Sequence, residues 1–208
     1  MKGHLISFEG GEGGGKSTQI QRLAERLRAE RSLSVRLSRE PGGTPTGEAI
    51  RAILQHDAAG EPLADATEVF LFCASRAQLC RTVLAPALER GEWILCDRFT
   101  DSTLAYQGYG RGFDVAALRA FNDFATGDVR PSLTILLDVP VEVGMERIRS
   151  RGGKDRIESE ALDFHRRLRS GYLDLARQEP DRFAVIDATR DPDAVASDIW
   201  NAVSSRIP

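Results

Sequence analysis

"GGEGGGKS", Gly10 to Ser17, is the stretch on which the fold turns. It matches G-x-x-x-x-G-K-[ST], and it sits where that pattern has meaning, between the apolar run "HLISFEG" and a helical pattern from about Lys16 to Arg31. Glycines let the backbone curl so that its N–H groups face a phosphate chain, and the following helix adds the positive end of its dipole. Gly10, Gly11, Glu12, Gly13, Gly14, Gly15, Lys16, Ser17 and Thr18 are therefore read as the binding loop for a nucleoside triphosphate. Lys16 is expected to meet the β- and γ-phosphates and the Ser17 hydroxyl to help hold Mg²⁺. The dinucleotide fingerprint G-x-G-x-x-G is absent, so a redox cofactor is not suggested.

Outward from the loop, β-like runs alternate with helical patterns. "SVRLSRE", "EWILCDR", "LTILLDV" and "RFAVIDA" read as further strands. Helices are expected near Glu48 to His56, from Leu63 to Glu89, near Ser102, from Val115 to Ala125, from Val141 to Arg149, from Ala161 to Gln178, and after Pro192. Strands that are continuously apolar are covered on both faces, which predicts a doubly wound α/β domain with a parallel sheet of about five strands. With 208 residues, no repeat and no linker, the chain reads as a single P-loop domain over 1–208.

Composition narrows the function. A formal net charge of −3 argues against a dedicated nucleic-acid binder. The apolar runs are far shorter than the roughly 20 residues that cross a bilayer, and "MKGHLISFEGG" has no signal-peptide core, so a cytoplasmic protein without membrane attachment is expected. Cys73, Cys80 and Cys96 form no CxxC pair, and the three histidines lack ligand spacing, so a protein metal cage is not expected.

A carboxylate at the end of a second apolar strand is needed beside the loop, and both Asp97 in "WILCD" and Asp138 in "TILLD" qualify. Asp97 is favoured because the dense polar and aromatic stretch "DRFTDSTLAYQGYGRG", Asp97 to Gly112, follows it. The guanine-reading N-K-x-D of GTPase switches is missing, and the D-x-x-G from Asp57 to Gly60 follows a helical pattern. Arg147, Arg149, Arg151, Lys154 and Arg156 crowd around Gly152 and Gly153, which predicts a short basic lid at about 150–159. Transfer between two phosphate-bearing substrates needs such cations and the exclusion of water. An acceptor phosphate, with a second pKa near 6, is already largely dianionic at about pH 7 and needs no general base.

In this order, "FEGGEGGGKST", "REPGGT", "FLFCASRAQ", "CDRFTDSTLAYQGYGRG", "LLDVPVEVGMERI" and "RGGKDRIESE" resemble bacterial thymidylate kinases, nucleoside monophosphate kinases that make dTDP from dTMP and ATP. The resemblance implies that Phe72 stacks on thymine, Arg76 donates to a thymine carbonyl, and Arg39 and Arg98 bind the acceptor phosphate. It implies that Asp97 serves the Mg²⁺ and phosphate network, that Ser102 and Thr103 sit near the base, and that Thr103 meets thymine N3. Tyr106 would lie where a ribose 2′-hydroxyl would fit, with Gln107 supporting that pocket, and Glu12 near the sugar 3′-hydroxyl. Gly13 occupies the loop position where some members carry a catalytic arginine, so the resemblance is to the type that supplies it from the lid, here Arg151 and Arg156. Arg147 or Arg149 would stack on adenine. Homodimerisation through the 63–89 helix is also implied. Rival readings are a kinase for another nucleoside or nucleotide, and an ATP-binding switch without transfer.

Overall fold

Two-sided burial organises the sheet. In a computed structural model, which describes residues 3–56, 60–151 and 160–207 (the side chains of His56 and Arg151 excepted), the strands are β1 Leu5–Glu9, β2 Val35–Arg39, β3 Trp93–Asp97, β4 Leu133–Asp138 and β5 Phe183–Asp187. All pair in parallel in the order β2-β3-β1-β4-β5. The helices are α1 Lys16–Arg31, α2 Pro45–His56, α3 Asp65–Leu79, α4 Ala85–Glu89, α5 Thr100–Thr103, α6 Val115–Thr126, α7 Val141–Arg151, α8 Leu162–Gln178 and α9 Pro192–Arg206. This is the doubly wound α/β architecture expected from the alternation of patterns.

Side chains alternate across each strand. Ile6 and Phe8 face the helices α1 and α9, packing with Leu23, Leu27, Ile199 and Val203. On the opposite face Leu5, Ile94 and Cys96 meet Leu79, Leu84 and Phe99, while Leu136 and Phe183 meet Leu168, Tyr172 and Leu175 of α8. The central strands β3, β1 and β4 are therefore covered on both faces, with the buried Ser7 and Thr134 hydroxyls bonded to each other, and functional polar residues gather at the carboxyl ends, the crevice where ligands bind in such sheets.

The long helix expected over Leu63–Glu89 is a run of three pieces: α3, a π-helical turn over Cys80–Leu84, and α4. The widened turn falls directly before Pro86, which lacks an N–H and whose ring excludes the carbonyl four residues back. A second π-helical segment, Leu104–Gly110, continues α5 and carries Tyr106 and Gln107. Asp114 caps α6 by accepting from the amides of Ala116 and Ala117, and Asp191 caps α9, with Pro192 in its first turn. By contrast α1 begins after Gly15 (φ 82°) with no side-chain cap, which leaves its first amides directed at the loop's concavity. The lid predicted at about 150–159, with Lys154 and Arg156, and the D-x-x-G beginning at Asp57 lie outside the described residues, apart from Ser150, the backbone of Arg151 and Gly60.

Candidate active site

One cleft of about 380 Å³ runs from the P-loop along the ends of β2 and β3 to α3. It is lined by Glu12 to Thr18, Arg39, Phe72, Arg76, Asp97, Arg98, Ser102, Thr103, Tyr106 and Gln107, so the loop and every residue implied for the acceptor converge in one space. Glu40, Pro41, Arg51, Gln55 and Phe99 line it as well. Gly10 and Gly11 stand just behind, their carbonyl oxygens accepting from Lys16 Nζ at 3.2 and 3.0 Å. Burial and the neighbouring Arg98 lower the Lys16 ammonium pKa, against the opposing pull of Glu12, Asp97 and Glu9.

The loop's shape depends on glycine at two points. Gly10 adopts φ 132° and Gly13 φ 71°, values that L side chains rarely adopt. A Cβ at Gly10 would lie 2.4 Å from the Leu137 carbonyl oxygen, and one at Gly13 would lie 2.2 Å from that of Gly144 in α7.

Geometry separates the two strand-end carboxylates. Asp97 Oδ2 accepts from the Ser17 hydroxyl at 3.3 Å, within the loop's reach. Asp138 is held by both forks of Arg169 on α8, at 2.7 and 2.8 Å, and does not line the cleft. Of the two, only Asp97 lines the cleft with the loop.

Arg98 is the electrostatic centre. Its backbone is left-handed at φ 69°, uncommon for a residue with a side chain. From there NH2 donates to Glu12 Oε1 at 2.5 Å and NH1 to the Gly10 carbonyl at 3.1 Å, with the Ser102 and Tyr172 hydroxyl oxygens at 3.4 Å. Among the described residues, Nε and one NH2 hydrogen have no protein acceptor, leaving an edge that suits a phosphate. Tyr106 donates to Glu12 Oε1 at 2.6 Å and places its ring under the guanidinium, 4.9 Å from the centroid. Burial raises the Glu12 carboxyl pKa, but Arg98, Lys16 and Tyr106 outweigh it and hold it at about 2.

Arg76 departs from its expected availability. It is 1% exposed, and its guanidinium is already engaged by the protein: Nε donates to Glu40, NH1 to Thr103 and Asn122, and NH2 to the Phe99 carbonyl, with NH2 also in ion-pair contact with Glu40. A thymine carbonyl at this wall would share one of these hydrogens. Ser102 is likewise turned toward Glu9, Tyr172 and Arg98. Gln107 is buried and donates to Glu68 at 2.8 Å behind the cleft wall. Phe72 and Arg39 line the cleft directly, with Arg39 bonded to Glu48. Arg147 lies across the back of the loop, donating to the carbonyls of Gly13 and Ala188, and Arg149 pairs with Glu146 at the surface. The Arg151 side chain and Arg156 lie outside the described residues.

Two groups escaped the sequence reading. Glu9, fully buried at the end of β1, accepts from the Phe99 amide at 2.7 Å, from Ser102 at 2.6 Å and from Tyr172 at 3.0 Å. Burial, reinforced by Asp101 and only partly offset by Ser102, Arg98 and Phe99, pushes the Glu9 carboxyl up to about 7. Its signal in sequence was a carboxylate ending an apolar strand directly before the loop; Tyr172, 163 positions away, had none.

A P-loop, a strand-end aspartate beside its serine, and an arginine-rich pocket in the same cleft define a phosphotransferase that brings a nucleoside triphosphate to a second, anionic substrate. A profile of the thymidylate kinase family matches residues 8–199. The chain is 52% identical to the thymidylate kinase of Deinococcus radiodurans over 99% of its own length and 98% of that protein, and 52% identical to that of Thermomicrobium roseum over 96% and 94%. The crystal structure of thymidylate kinase from Ehrlichia chaffeensis superposes with a TM-score of 0.79 at 32% identity, covering 98% of this chain and 99% of the other. The chain belongs to the thymidylate kinase family.

Proposed function

We propose that this chain transfers the γ-phosphoryl group of ATP to dTMP, giving dTDP and ADP, and that its cleft residues divide the work as follows. An oxygen of the acceptor phosphate attacks the γ-phosphorus; that P–O bond forms while the bond to the β,γ-bridging oxygen breaks, and ADP leaves with the electron pair. No base is needed, because the attacking phosphate is already ionised. The observation that carries this reading is the single cleft joining Lys16 and Ser17 to Arg98, Phe72 and Thr103.

Lys16 and the loop amides receive the donor's phosphates, and the free edge of Arg98, with Arg39, receives the acceptor phosphate. Phe72 offers a flat face to the base. The Thr103 hydroxyl oxygen, which accepts from Arg76 at 2.9 Å, keeps a second lone pair for thymine N3–H. Tyr106, locked to Glu12, fills the space a 2′-hydroxyl would need, and Gln107 backs the same wall. Because a side chain at Gly13 would strike α7, a loop arginine is sterically disfavoured. Arg151 and Arg156 are assigned the transferring phosphate, and Arg147 or Arg149 the adenine, on the sequence pattern alone. Mg²⁺ fits the donor set: the Ser17 hydroxyl and Asp97 carboxylate are hard oxygens, few enough to leave positions for phosphates and water. When bound, the ion would neutralise charge on the β- and γ-phosphates.

Homodimerisation is assigned to α3 and α6, which pack on each other and expose Phe70 (59%), Phe121 (40%) and Phe124 (82%), the first two rings 5.6 Å apart. No described helix is long and apolar enough to cross a membrane. The test of the activity is ADP release from Mg·ATP with dTMP, dUMP, dCMP, dGMP and UMP offered separately. Preference for dTMP is expected; equal rates would reduce the reading to a general monophosphate kinase, and no acceptor-dependent release would leave an ATP-binding switch.

A further inference from the structure

The buried carboxylate of Glu9 does not itself line the cleft, yet three of the groups that define the position of Arg98 end on it. Its Oε1 accepts from the amide of Phe99, the residue directly after Arg98 in the chain, at 2.7 Å. Its Oε2 accepts from the hydroxyls of Ser102 on α5 and Tyr172 on α8, which are 2.8 Å from each other. Those same two oxygens are the acceptors 3.4 Å from Arg98 NH1.

We propose that Glu9 is the positioning residue for Arg98. Glu9 takes the Ser102 hydrogen at 2.6 Å, and the Tyr172 hydrogen is shared between Glu9 and the Ser102 oxygen, which leaves lone pairs of both oxygens for the guanidinium. Through the Phe99 amide it also pins the chain just past the left-handed turn that aims Arg98 into the cleft. An arginine on a strained turn needs such over-determination, since otherwise the backbone would relax and the forked edge would lose its aim. Arg98, Asp101, Lys16, Cys96 and Tyr172 are charged or titratable groups that interact with Glu9, and Asp101 is itself engaged by Arg182 at 2.7 and 2.9 Å.

The proposal rests on the dTMP kinase reading, and steady-state kinetics separate the two. In Glu9→Gln the shape is kept, but the oxygen serving both hydroxyls becomes an N–H donor, so both must turn their hydrogens elsewhere. At about pH 8, above the value to which burial raises Glu9, Glu9→Gln is expected to raise KM for dTMP by roughly tenfold, while KM for ATP stays within about threefold. Glu9→Asp, which restores the charge, is expected to recover part of the loss. Adding Ser102→Ala to Glu9→Gln should cost less than the product of the separate effects, because one network is being removed twice. A merely structural role would lower the melting temperature and the active fraction and leave both KM values in place. Unchanged KM for dTMP in folded Glu9→Gln, or strictly multiplicative effects with Ser102→Ala, would overturn the assignment. If Glu9→Gln does not fold, Tyr172→Phe, which deletes one hydroxyl, is expected to raise KM for dTMP about threefold, and no change would overturn it equally. Wild-type protein runs in the same assay: no dTMP-dependent ADP release there would defeat the kinase reading instead.

Discussion

Replacing Arg76 by methionine removes a buried cation with four protein hydrogen bonds while keeping much of its volume. The guanidinium is 1% exposed and Glu40, its ion partner, 3%. Five N–H groups are lost at once, and the acceptors left behind are the Glu40 carboxylate, the Asn122 amide oxygen, the Thr103 hydroxyl and the Phe99 carbonyl. Glu40 is the costly one, since its Oε1 already has no hydrogen-bond partner among the described residues. Breaking a buried pair from one side costs about 3–5 kcal/mol, a large part of the roughly 5–15 kcal/mol that holds a domain together. For a chain of this size that corresponds to a melting temperature lower by roughly 10 °C. Burial already pushes the Glu40 carboxyl upward against the pull of Arg76, so in the variant it escapes by taking a proton, and the loss is expected to be smaller near pH 5 than near pH 8. Urea unfolding followed by the fluorescence of Trp93 and Trp200 measures both. The double variant Arg76→Met/Glu40→Gln should recover at least half of the loss, because no buried charge is left uncompensated. A loss under about 1 kcal/mol at pH 8, or no recovery in the double variant, would refute the reasoning.

Lys16→Ala is expected to lower kcat by roughly 10²-fold or more with the fold intact, as for other preorganised charge donors, read as dTMP-dependent ADP release alongside circular dichroism. Glu12 contributes through its depressed pKa: held at about 2 when folded, against about 4.5 when unfolded, it adds stability that is fully present above pH 4.5 and lost as pH falls toward 2. The amount is on the order of 3 kcal/mol, so wild type and Glu12→Gln compared by acid titration of unfolding should differ in that window; parallel curves would contradict it. Phe124→Asp combined with Phe70→Asp is expected to shift the mass seen by light scattering from two copies to one, and an unchanged mass would place the interface elsewhere.

Much of this protein was legible from sequence because it is written locally. Short apolar runs, the central three covered on both faces, and a Gly-rich loop between strand and helix specify a parallel sheet and the phosphate cradle within short windows of chain. Gly10 and Gly13 need backbone conformations that few other residues reach, so their spacing carries meaning without a partner. Ordered motifs likewise carried Phe72, Arg98 and Tyr106 to one cleft. Sequence favoured Asp97 over Asp138 only through the stretch that follows it; tertiary structure separated the two by partner, Ser17 of the loop for Asp97 and Arg169 for Asp138. It also decided that Arg76 is sequestered by Glu40 and Asn122, and that Glu9 reaches Ser102 and Tyr172 across 93 and 163 positions. Buried polar groups take whatever partner the packing brings within about 3 Å, and that choice is made between elements, where no periodicity or spacing along the chain records it.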